Sequence, residues 1–248
     1  MTSSIRLFAS SLVALALYSA DGQGIVVIQH SGAADPTAEG FSLVSMGSHA
    51  SVRPITGSGF SAWNTTVSNV NNNITYSYLL TSQQRAETIG ADWALSFTLE
   101  DLQPNTIGND FINAGPVLIY VGSEVNGDPY IAVPGSGTNY ILNGAGSGYH
   151  NYQIFYDAVT ASASLWVDGT EKMSDYLRNF SIPNGVNEIQ WGESQAGPSS
   201  ANWNLLSFEI VPEPSAVALL FLGSSALVCL RFRRCAGKTR SRRGSIFG

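Results

Sequence analysis

The chain has 248 residues, 44% of them apolar, which is enough to bury a core, and only 12% charged against a usual value of about 25%. Its 25 glycines, with abundant Asn and Ser, suit a turn-rich β protein and argue against an all-helical one. The net charge of −6 is segregated: residues 21–210 hold 17 acidic groups against Arg53, Arg85, Lys172 and Arg178, and a body at −13 cannot neutralise a run of phosphates, which excludes nucleic-acid binding by it.

Residues 1–24 open with one positive charge, Arg6, followed by an apolar stretch over 7–17 and then by the small residues Ser19, Ala20, Gly22 and Gly24. This is the layout of a secretory signal peptide, its apolar run too short to span a bilayer. The body, residues 25–210, reads as a succession of short strands. They are expected at 41–44, 74–79, 91–100, 117–121, 130–133, 140–142, 151–156, 163–167, 188–191 and 203–210, with Gly, Asn and Pro in nearly every gap. In 91–100 the alternation sets Trp93, Leu95, Phe97 and Leu99 on one face and Ala94, Ser96, Thr98 and Glu100 on the other. Just before it, Thr81 and Gln84 have the capping-box spacing of a short helix over 81–87. Strands at roughly ten-residue intervals, with almost no helix to carry parallel crossovers, imply an all-β antiparallel sandwich of two sheets. Both cysteines, Cys229 and Cys235, lie beyond the body, which therefore has no disulfide, thiol nucleophile or thiolate metal site.

The strand over 151–156 is followed by one over 163–167 that ends in Asp168-Gly169, a type I′ hairpin signal. This hairpin, together with the final strand Ser200-Ala-Asn-Trp-Asn-Leu-Leu-Ser-Phe-Glu209, resembles the concanavalin A-like lectin and glucanase superfamily, the jelly rolls that include laminin G-like domains. The resemblance extends over most of residues 25–210. It implies a two-sheet jelly roll with one concave face, a shape used for glycans and also for proteins.

A glucanase of that superfamily is expected to carry two glutamates flanking an aspartate on one strand, so that nucleophile and acid/base face one sugar. The nearest segment is 188–193, where Gln190 replaces the aspartate and Glu188 and Glu193 fall on opposite faces of an unbulged strand. An amide cannot exchange a proton with its neighbours, so the pair loses its tuning. His30, His49 and His150 have no metal-ligand spacing, His150 falling in a solvated turn at the entrance to a strand. No nucleophile elbow surrounds a serine, and the glycine runs at 135–137 and 144–148 are followed by neither helix nor lysine. Asp110, Glu124, Asp128 and Asp157 fall in loops; Ca²⁺ is possible there, but no ligand spacing supports it. The body is thus expected not to be an enzyme, with no catalytic residue, no metal site and no cofactor.

Aromatic residues remain. Trp63, Trp93, Trp166, Trp191 and Trp203, with ten tyrosines, offer flat apolar faces of the kind that stack on sugar rings. Trp93 shares a face with Leu95 and Phe97 and belongs to packing. Trp191 and Trp203 stand beside Gly, Asn and Ser, and with Asn202 they are the candidate glycan-binding residues.

Past the body come Val211-Pro212-Glu213-Pro214-Ser215, an uncharged apolar run over 216–230, a basic cap over 231–234 with Arg231, Arg233 and Arg234, and a basic tail over 235–248. Fifteen helical residues reach only about 22 Å against a hydrocarbon core of roughly 30 Å, a marginal anchor that snorkelling arginines extend. With the N-terminus exported, those arginines hold this end in the cytoplasm. A Pro-Glu-Pro motif, a short transmembrane helix and an Arg-rich cap, in that order over 211–234, resemble the PEP-CTERM sorting signals of Gram-negative bacteria. The resemblance implies an inner-membrane exosortase that cuts near Pro212, Glu213 and Pro214 after export by the secretion machinery, releasing the protein to the cell surface or exopolysaccharide matrix. The whole chain then reads as an exosortase-processed surface protein whose non-catalytic jelly roll binds extracellular polysaccharide. Its alternatives are a structural or adhesive surface protein with no glycan site, and a glycoside hydrolase with a degenerate motif.

Overall fold

A strand that is apolar on one side buries that side only against another such face, and the described residues of this chain meet the demand with fifteen strands in two antiparallel sheets. The computed structural model describes residues 24–211 apart from 58–59, 104–105, 116, 135–137, 177–183 and 195–196. The signal peptide expected over 1–24 (all but Gly24), the Pro-Glu-Pro motif, the apolar run and the basic cap lie outside the described residues. Among the described residues no helix is long and apolar enough to cross a membrane.

In chain order the strands are β1 (Ile25–His30), β2 (Ser42–Met46), β3 (Ala50–Gly57), β4 (Phe60–Val67) and β5 (Ile74–Leu79). The short helix α1 (Ser82–Glu87) leads into β6 (Asp92–Asp101), β7 (Thr106–Ala114), β8 (Val117–Ser123), β9 (Pro129–Val133) and β10 (Thr138–Ile141). Then follow β11 (His150–Asp157), β12 (Ser162–Val167), β13 (Thr170–Tyr176), β14 (Glu188–Glu193) and β15 (Ser199–Val211). The first sheet runs β13-β12-β11-β6-β15-β4-β3, with β1 also on β15; the second runs β10-β9-β8-β7-β14-β5-β2. The long β15 pairs with β6 along one edge, while its other edge is divided between β4, at 199–203, and β1, at 206–210.

The antiparallel sandwich read from strand spacing is therefore the observed architecture. Trp93, Leu95, Phe97 and Leu99 all point inward and are fully buried, Trp93 stacked on Tyr156 at 5.1 Å and Phe97 on Tyr152 at 4.8 Å. The capping box closes as expected: Gln84 N donates to Thr81 Oγ1 at 3.2 Å, and Thr81 N to Gln84 Oε1 at 2.9 Å. Asp168 and Gly169 both have positive φ, 50° and 73°, as a type I′ turn requires.

Five strands, β1, β3, β4, β7 and β13, go beyond those expected. β3 and β13 are sheet edges, where Pro54 in one and Glu171, Lys172 and Asp175 in the other suit an edge but hide the strand pattern. β7 is central yet contains Gly108, Asn109 and Asp110, three turn-forming types; Asp110, expected in a loop, is in that strand.

Because the interior is close-packed, truncating a core side chain and an outer one should differ sharply. Leu95, fully buried, should cost about 2–5 kcal/mol on Leu95→Ala in urea unfolding. Leu79, 68% exposed, should shift stability by no more than about 0.5 kcal/mol on Leu79→Ala. Equal losses would contradict this assignment of inner and outer faces.

Candidate functional site

The three residues expected to bind sugar are buried, Trp191 and Trp203 between the sheets and Asn202 in a polar row with Asn64 and Glu100 across β4, β15 and β6. Trp191 and Trp203 are fully buried: Trp191 stacks on Tyr76 at 4.6 Å, meets Trp203 at 4.9 Å and takes His30 on its other side at 5.3 Å. Trp203 Nε1 donates to Thr65 Oγ1 at 3.0 Å. Asn202 is 7% exposed, accepts from Asn64 Nδ2 at 3.0 Å and donates to Glu100 Oε2 at 3.0 Å. None offers a face to a sugar, so this expectation is corrected: the two rings join one sheet to the other, since Trp191 lies on β14 and Trp203 on β15.

Glu188 and Glu193 do fall on opposite sides of β14. Glu188 faces outward and accepts from Ser77 Oγ. Glu193 is fully buried between the sheets and accepts from Thr65 Oγ1 and Ser199 Oγ, both on the first sheet. Asp110, paired with it across β7 and β14, is 1% exposed, and among the described residues no group donates to either of its carboxyl oxygens. Burial pushes the Asp110 carboxyl well above the ordinary carboxylate range, and the charges of Glu193 and Asp101 push the same way. Asp101 is raised to about 6, chiefly by burial, with Glu193 adding to it. A proton kept on Asp110 gives this interior cluster a donor toward Glu193. Among the described residues no three His, Cys, Asp or Glu side chains are arranged to hold a metal.

The open polar ground lies on the outer face of the second sheet. Register places Ser42, Ser77, Gln190, Asn113 and Leu118 in one row across β2, β5, β14, β7 and β8. The adjacent row is Thr75, Gly192, Phe111, Tyr120, Ala132 and Asn139. A shallow depression of about 270 Å³ opens here, lined by Asn73, Thr75, Phe111, Asn113, Leu118, Tyr120, Gln190, Glu193 and Ser194. Gly192 leaves a gap between Thr75 and Phe111, and a Cβ there would stand 2.1 Å from the Ile74 carbonyl oxygen. Asn113 Oδ1 and Ser194 Oγ are shielded from solvent and have no hydrogen-bond partner among the described residues. Phe111 and Tyr120, directly opposed, are half-buried beside them. The sequence signal for this face was the other half of the alternation that gives the core: Gln190 between Ile189 and Trp191, and Tyr120 between Ile119 and Val121. His150 also departs from expectation, being 8% exposed with Nδ1 2.7 Å from Asp168 Oδ2.

No family model matches the chain. No curated protein matches it either. Solved structures do. A conserved carbohydrate esterase from Shiga toxin-encoding bacteriophage phi24B superposes with a TM-score of 0.56 at 8% identity, over 76% of this chain and 99% of its own. The CBM2 module of the evolved Dit of Lactobacillus casei BL23 phage J-1 gives 0.52 at 14% identity, over 78% and 98%. The binding domain of botulinum neurotoxin DC in complex with SialylT gives 0.51 at 9%, over 80% and 51%. At such identities the likeness is one of fold alone, a two-sheet β-sandwich.

The interior acid cluster makes stability depend on pH. Folding raises the Asp110 and Asp101 values above their ordinary 3.8, so the stability they contribute is full below about pH 4 and is lost as pH rises through 6 and beyond. Asp110→Asn should therefore gain stability over the parent by an amount that grows from pH 5 to pH 8 in thermal melts. A difference that does not vary with pH would contradict a shared interior proton.

Proposed function

We propose that this chain is an exported surface protein whose sandwich domain binds neutral polysaccharide on the outer face of its second sheet and does not cleave it. One observation carries the reading: in the depression, the side-chain amides of Asn113 and Gln190 stand with the Phe111 and Tyr120 rings, an arrangement that offers hydrogen bonds to hydroxyls next to an apolar face for a sugar ring. The fold likeness to a CBM2 module and to a toxin binding domain in complex with SialylT supports it, as does the resemblance of the Asp168-Gly169 hairpin to the concanavalin A-like, laminin G-like jelly rolls. Apart from Glu193, whose carboxylate is buried against Thr65 and Ser199, the lining is of amides, hydroxyls and apolar groups, and the body's −13 disfavours acidic chains on this face. Hydrolysis needs two carboxyls flanking one glycosidic bond, and here Glu193 turns its carboxylate inward while Glu188 is bound by Ser77. Delivery rests on the sorting signal: the leader is removed, the run over 216–230 enters the inner membrane, and an exosortase cuts near Pro214.

A shallow site of this kind should have a Kd of about 0.1–1 mM and act through many copies at the surface. Titration calorimetry with a panel of neutral hexasaccharides should detect one ligand in this range, and Tyr120→Ala or Gln190→Ala in a still-folded protein should weaken it roughly tenfold. Unchanged binding in both variants would move the site elsewhere; release of reducing sugar that Glu188→Gln abolishes would make the protein a hydrolase instead. Alanine at Pro212, Glu213 and Pro214 should leave export intact and trap an uncut form in the inner membrane. Arrival of that variant at the surface with the parent's mature mass would reduce the motif to a linker.

A further inference from the structure

We infer that a second site, at the rim where the glycine loop after β10 meets the β12–β13 turn, takes a sugar unit bearing a carboxylate. A depression of about 240 Å³ lies there, lined among others by Tyr140, Asn143, Asp168, Thr170 and Lys172. Its volume is below the roughly 300–1,000 Å³ of ordinary ligand pockets, so it suits a single ring.

Both walls are held in advance. Asp128 accepts the amides of Gly144 at 2.8 Å and Gly146 at 2.7 Å, which fixes the loop where both glycines have φ of 78°. His150 then bridges the walls, with Nδ1 2.7 Å from Asp168 Oδ2 and Nε2 3.2 Å from the Gly146 carbonyl oxygen. A site whose walls are already ordered loses little entropy when its ligand binds.

The hydrogen-bond inventory gives the ligand's chemistry. The one carboxylate in the depression, Asp168, is already engaged by His150 and by Asn151 N at 2.9 Å. The side chains of Asn143, Thr170 and Lys172 make no hydrogen bond among the described residues, and the Lys172 ammonium stands 5.9 Å from the centroid of the Tyr140 ring. The groups left without a hydrogen bond are thus rich in donors and include Lys172, one of four cationic side chains in the acidic body, whose charge is only partly offset by Asp168, itself already bound by His150 and Asn151. A ligand that complements them is rich in acceptors and negatively charged. The ammonium pairs with a carboxylate, the amide and hydroxyl meet ring hydroxyls, and the Tyr140 face lies beside the ring. A hexuronate unit has that combination, and this site is separate from the neutral sheet face across the domain's second sheet.

The probe is the trimer of galacturonate set against its methyl ester, which keeps the ring and removes the charge. Calorimetry on the full chain at low salt should show the acid trimer binding at least about tenfold more tightly than the ester. Lys172→Gln, a half-exposed position, should erase that preference while circular dichroism and melting stay as in the parent. A saturating neutral hexasaccharide should not compete with the acid trimer, which distinguishes this site from the sheet-face site whether or not the latter binds. Equal affinity for acid and ester, a preference that survives Lys172→Gln, or no binding at millimolar trimer would each overturn the inference.

Discussion

The contact of Trp191 with Trp203 across the middle of the sandwich is what the rest of the domain depends on. The two rings, 4.9 Å apart, come from different sheets, and around them Trp63 Nε1 donates to Tyr76 OH at 2.9 Å and Glu193 takes hydroxyls from Thr65 and Ser199, all across the same gap. With no cysteine in residues 24–211, packing and these few polar links hold sheet to sheet. A polar link of this kind stabilises only while every member has a partner, and the Asp110 carboxyl beside it gains one by keeping its proton.

That interior use of tryptophan decides what is left for the surface. A strand that sends Trp191 inward sends Gln190 outward, and one that sends Ile112 and Ile119 inward presents Phe111, Asn113 and Tyr120. The outer face of the second sheet is accordingly built of amides, hydroxyls and medium-sized rings, and Gly192 opens a shallow space among them because the backbone of β5 comes too close for any side chain there. The proposed neutral-sugar site is a by-product of the same alternation that makes the core.

Strands with a clean apolar face were legible in the sequence, as β6, β11 and β12 show, and so were the Asp168-Gly169 turn and the α1 cap, since each depends on neighbours within a few residues. Edge strands β3 and β13 were not, because an edge tolerates proline and charge that elsewhere signal a loop. The fate of Trp191 and Trp203 was equally hidden: flanking Gly, Asn and Ser describe the strand's own exposed half, whereas burial of the rings is set by the opposite sheet. The rim depression was still further from view, since Asp128, His150 and Asp168 meet only after four strands have paired.

Backbone amide shifts recorded while the protein is titrated with a neutral hexasaccharide test the central claim most directly. The account predicts fast-exchange shifts concentrated at Phe111, Asn113, Tyr120, Gln190 and Gly192, with the first sheet unmoved. Shifts confined to the first sheet or to loops remote from β7, β8 and β14, or none at millimolar sugar, would contradict it.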